Sequence, residues 1–67
     1  MRPTPRYHRV VEAAAEIARD LGHEYIGTEH LFLAILADAD AVPTQVMAGL
    51  IEPAAVVARV RDVMERY

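Results

Sequence analysis

The 67-residue sequence contains no cysteine, no serine and no lysine. Without cysteine, no disulfide can staple the fold and no thiolate can hold a metal. Without serine or cysteine, the usual nucleophiles of covalent catalysis are missing. Without lysine, a phosphate loop of the Gly-x-x-x-x-Gly-Lys type cannot be completed. No apolar run approaches the ~20 residues of a membrane-spanning helix. The opening Met1-Arg2-Pro3-Thr4-Pro5 lacks the apolar stretch of a secretory leader, so a cytoplasmic location is the expectation. Nothing singles out a working acid–base pair among the acids and histidines. The chain is therefore expected to be no enzyme, with no catalytic residues and no cofactor.

What is present is mostly apolar. Hydrophobic residues make up 54% of the chain, much of it alanine. A chain this short is one domain at most and sits near the lower edge of independent folding. With no disulfide to help, it needs either unusually good helix packing or a partner chain. A surplus of apolar faces in so small a chain favours self-association. The formal charge is −3, and all seven basic residues are arginine. A nucleic-acid binder shows a basic patch and a positive balance, and this sequence shows neither.

Four helical segments are legible. The first runs from about Pro5 to Leu21. Thr4 is the candidate N-cap and Pro5 takes the first helical position, where a missing N–H costs nothing. Val10, Ala14, Ile17 and Leu21 form its apolar stripe, and Gly22 stops it. Thr28 is the N-cap candidate of the second helix, Glu29 suits its first turn, and Leu31, Phe32, Ile35 and Leu36 make it strongly apolar. Asp40 is expected to cap a short third helix from about Ala41 to Ala48, with Pro43 in the first turn. Val42, Val46, Met47 and Leu50 are expected to supply its buried side. The fourth helix starts at Pro53 and reaches toward Arg66, with Val56, Val60 and Val63 inward. There is no strand-like alternation, low-complexity tract or internal repeat. The expected fold is all-α, a compact bundle of four helices over residues 1–67.

The most distinctive stretch is Leu21-Gly22-His23-Glu24-Tyr25-Ile26-Gly27-Thr28-Glu29-His30-Leu31, a polar, aromatic loop running into a helix N-terminus. Free N–H groups there form an anion site, and Glu29 sets a carboxylate beside them. Such a site suits a ligand with both anionic and cationic parts. A plainer reading has Thr28 as a cap, Glu29 as a partner of the helix dipole and Tyr25 as a core plug. His23, Glu24, Glu29 and His30 do not match a metal set, because the histidines lie seven apart across a helix break, whereas zinc needs three or four converging ligands.

This stretch, followed by Phe32-Leu33-Ala34-Ile35-Leu36 and preceded by Ala13-Ala14-Ala15-Glu16-Ile17-Ala18, resembles the N-terminal domain repeat of Clp-family AAA+ protein unfoldases. Val42-Pro43-Thr44-Gln45-Val46-Met47 and the closing valine-patterned helix fit the same pattern. The resemblance covers nearly the whole chain. It departs in Pro43, where a small helix-former is common, and in a shortened turn at Leu50-Ile51-Glu52-Pro53. Family N-domains carry two such repeats about a pseudo-twofold axis, and this chain has one. The resemblance therefore implies half of an eight-helix domain, with two copies pairing as a twofold homodimer to rebuild it. It also implies a role in recognising protein substrates or adaptors of a Clp protease system. These residues contain no ATPase module, so the resemblance carries no unfolding activity over to them, and a decoy or competitor of the full-length unfoldase is one expected role. In some relatives the Thr-Glu at the second helix start helps to bind phosphorylated arginine. The matching positions are Thr28 and Glu29, and Gly27 precedes them in the same candidate ligand site.

Two other classes stand beside this reading. One is a purely structural dimerisation unit whose motif only caps a helix. The other is a helix–turn–helix DNA binder. Against the latter, the turn is too long, and the second helix is apolar where a recognition helix needs basic and polar side chains.

Overall fold

Thr4 begins the first helix as its hydroxyl oxygen accepts from the Tyr7 N–H at 3.1 Å, with Pro5 as the first helical residue. This is α1 (Pro5–Asp20). It ends in a Schellman motif. Gly22 has φ +76°, its N–H donates to the Arg19 carbonyl at 3.0 Å, and the His23 N–H donates to the Ala18 carbonyl at 2.9 Å. Only glycine adopts that left-handed position without strain. The computed structural model describes residues 1–66. Its other helices are α2 (Thr28–Ala37), α3 (Val42–Ala48) and α4 (Pro53–Met64). The all-α, four-helix expectation holds.

α2 is the hub. It packs against each of the other three helices, and α1 makes no close backbone approach to α3 or α4. The result is a slab of 30 × 29 × 17 Å. Its core consists of Ala14 and Ala18 from α1, Leu33, Ala34 and Leu36 from α2, and Ala41 before α3. Four of these six are alanines, so the helices approach closely but bury little apolar area per residue.

α1 and α2 form an antiparallel hairpin tied at both ends. At the open end, one Arg6 guanidinium nitrogen donates to both carboxylate oxygens of Asp38, at 2.7 and 2.6 Å. That bond, partly offset by desolvation, holds the Asp38 carboxyl below the usual carboxylate range, and the Asp40 N–H adds to the lowering. At the loop end, His23 meets His30.

Three expectations are corrected here. Asp40 does not cap α3: its own N–H donates to Asp38 Oδ1, and the N-cap is Ala41 with no side-chain bond. Of the four apolar side chains expected on the buried side of α3, only Met47 is half-buried. Val42, Val46 and Leu50 are 72%, 61% and 86% exposed, while Thr44 is 3% exposed and donates its hydroxyl to the Ile35 carbonyl. This bond to a carbonyl in the last turn of α2, nine residues away, sets the roll of the short helix. α4 ends at Met64, two residues before Arg66, and none of its residues is fully buried; Val63 is exposed. Among the described residues, no single helix is long and apolar enough to cross a membrane.

Candidate functional site

The loop between α1 and α2 is organised around His30. This side chain is 0% exposed, the largest fully buried one among the described residues. Its Nδ1 accepts from the Gly27 N–H at 2.8 Å, and its Nε2 lies 2.8 Å from His23 Nδ1. A nitrogen that accepts from an amide carries no proton, so the proton of His30 is on Nε2 and is donated to His23. His23 Nδ1 is then an acceptor, and His23 holds its proton on Nε2. This arrangement requires both rings to be neutral. Tyr25 closes it: its ring stacks on His23 at 5.2 Å and 6°, and meets His30 edge-on at 5.3 Å. Tyr25 is therefore a cover over the histidine pair, exposed on its outer side, and not a core plug.

This geometry corrects the cap. Gly27, in extended conformation, is the N-cap of α2, and Thr28 is the first helical residue. Glycine has no side chain to offer the helix. Instead the third helical residue, His30, reaches back to the N-cap N–H, the half of a capping box usually supplied by Glu or Gln. A sequence search for Ser, Thr, Asp or Asn at the cap misses it; a histidine three residues past a glycine was the signal.

The structure brings Gly27, Thr28 and Glu29 together at the mouth of α2. The Gly27 carbonyl accepts from the N–H groups of His30 and Leu31 at 3.1 and 3.3 Å. The amides of Thr28 and Glu29 have no acceptor among the described residues. Neither the Thr28 hydroxyl nor the Glu29 carboxylate has a hydrogen-bond or ion-pair partner there. The Glu29 side chain folds back over Gly27 and occupies the space a Cβ would take, with Cδ 2.9 Å from that position. Two free amide donors and a carboxylate therefore share one small surface.

That surface opens into a groove of about 630 Å³ between α2 and α4. Tyr25, Thr28 and Glu29 form its polar end, and Phe32, Val60 and Met64 are among its apolar walls. Glu29 also borders an adjoining hollow with Arg59 of α4. Among the described residues, no three His, Asp or Glu side chains are grouped to hold a metal ion. His23 and His30 engage each other.

Comparison with known proteins bears out the family resemblance drawn from the sequence. The ATP-dependent Clp protease ATP-binding subunit ClpA homolog of Guillardia theta is 49% identical over 47 residues, 70% of this chain and 6% of that protein. Chaperone protein ClpC1, chloroplastic, of Oryza sativa subsp. japonica and its namesake in Arabidopsis thaliana are 49% identical over 47 residues, again 70% of this chain and 5% of theirs. The chain thus spans about one-twentieth of the length of these relatives. No solved structure matches it. The family model described as the Clp repeat (R) N-terminal domain matches residues 1–65, and the chain belongs to that family.

Proposed function

We propose that the chain is a non-catalytic binding module, related to the part of Clp unfoldases that recognises substrates and adaptors, and that Gly27, Thr28 and Glu29 form its ligand site. One observation carries this reading. Within Gly27-Thr28-Glu29-His30, folding accounts for Gly27 as the cap and His30 as the buried latch, but it leaves Thr28 and Glu29 with no side-chain partner. Capping alone makes no use of the exposed Thr28 hydroxyl. Glu29 gains a few tenths of a kcal/mol from the helix dipole, which any acid in the first turn would gain.

The chemistry suits a phosphorylated guanidinium. The phosphoryl oxygens would accept from the free amides of Thr28 and Glu29 at the positive end of α2. The guanidinium would meet the Glu29 carboxylate. An apolar stem or neighbouring residue would lie along Phe32, Val60 and Met64. Such a module would compete with a full-length unfoldase for the same marked proteins. Isothermal titration with a phosphoarginine-bearing peptide and its unmodified twin tests this. Selective binding of the modified peptide, lost in Glu29→Gln, supports the site. Equal or absent binding of the two peptides refutes it.

A further inference from the structure

The most exposed apolar side chains of the folded part lie together on α3 and the turn after it. Val42, Val46 and Leu50 stand four residues apart, so they form one stripe on the outward face, and Ile51 adjoins it. From Ala41 to Ile51 there is no charged residue. The outward faces of α1 and α4 are different, carrying Arg9, Glu12, Glu16, Arg59 and Asp62. An uncharged stripe of large apolar residues, turned outward by a helix that buries a threonine, is unlike a solvated face.

The area points to what covers it. The chain exposes 5177 Å². A compact monomer of its mass exposes roughly 4,200 Å², so about 1,000 Å² is in excess. The exposed residues Met1–Thr4 hold part of that excess, and the α3 face holds another part. One side of a standard protein interface is about 800 Å².

We propose that a second copy of this chain packs on the α3 face, about a twofold axis passing near Val46. A stripe of equally spaced residues is self-complementary when reversed: Val46 meets Val46 of the partner, and Val42 meets Leu50 of the partner. The absence of charge means that two identical faces meet without repulsion. The pairing also supplies the apolar burial that a core of six residues, four of them alanine, lacks. It leaves the Thr28–Glu29 mouth and the α2–α4 groove open, so each dimer presents two ligand sites.

The test uses the 67-residue chain and needs no ligand, so it stands or falls apart from the proposed function. Sedimentation equilibrium is expected to give twice the 7.4 kDa chain mass. Val46→Asp is expected to give a monomer. The sequence has no cysteine, so Val46→Cys alone reports the approach of two copies, and mild oxidation is expected to cross-link it fully while Glu12→Cys stays uncross-linked. The cross-link also decides the matter if Val46→Asp fails to fold, as read by far-UV circular dichroism. A monomer at every concentration would overturn the proposal. So would a dimer that neither cross-links at position 46 nor dissociates in the folded Val46→Asp variant.

Discussion

His30 Nε2 lies 2.8 Å from His23 Nδ1, and the other nitrogen of His30 is held by the Gly27 N–H. These two bonds fix the tautomer of both rings. In long-range proton–nitrogen spectra, with the imidazoles neutral, both histidines should show protonated Nε2 and bare Nδ1. His8, on the exposed face of α1, has no such constraint.

The buried ring also sets a stability difference. His30→Ala leaves the Gly27 N–H and His23 without their partner and opens a cavity, so it should cost about 3 kcal/mol in urea unfolding. His23→Ala removes a half-buried ring and one bond, and should cost about 1 kcal/mol. Equal costs for the two would place the latch elsewhere.

Two glycines should respond differently. At Gly22, φ +76° penalises any side chain although nothing lies within 4 Å of a Cβ, so Gly22→Ala should cost about 1 kcal/mol through backbone strain alone. At Gly27 the backbone suits any residue, and the conflict is with the Glu29 carboxylate, the flexible end of a side chain. Gly27→Ala should therefore cost up to about 1 kcal/mol through the poorer cap while displacing Glu29. Comparing thermal unfolding of both variants with ligand titration separates the two causes.

The Arg6–Asp38 pair makes the hairpin sensitive to acid. Asp38 has a lowered pKa in the fold, so it releases its proton more readily there than in the unfolded chain. Its contribution is fully present above the ordinary carboxylate pKa and is lost as pH falls through the lowered folded value. Urea midpoints measured from neutral pH downward should show a drop that is smaller in Asp38→Asn. The pair is partly exposed, so salt should shrink the difference.

Most of the fold was legible in the sequence, and the roll of α3 was not. The 3.6-residue stripes, Thr4, Pro5, Gly22 and Pro53 placed the helices within about two residues, because these are local signals. Hydropathy marked Val42, Val46 and Leu50 as buried, yet the chain turns them outward. The roll of α3 is set by a single tertiary bond from Thr44 to Ile35, which no periodicity encodes. At the candidate site, the sequence placed Gly27, Thr28 and Glu29 at the start of α2 but assigned the cap to Thr28, where the structure has Gly27. The capping partner is a buried histidine, and its role depends on the neighbouring His23 ring across the loop.

The most direct measurement of the binding-module account is an amide chemical-shift titration of the nitrogen-15-labelled chain with free phosphoarginine. The account predicts saturating shifts centred on the Thr28 and Glu29 amides, spreading to Phe32 and Val60, and abolished by Glu29→Gln. Shifts that never saturate, that centre on another face, or that persist unchanged in Glu29→Gln would contradict it.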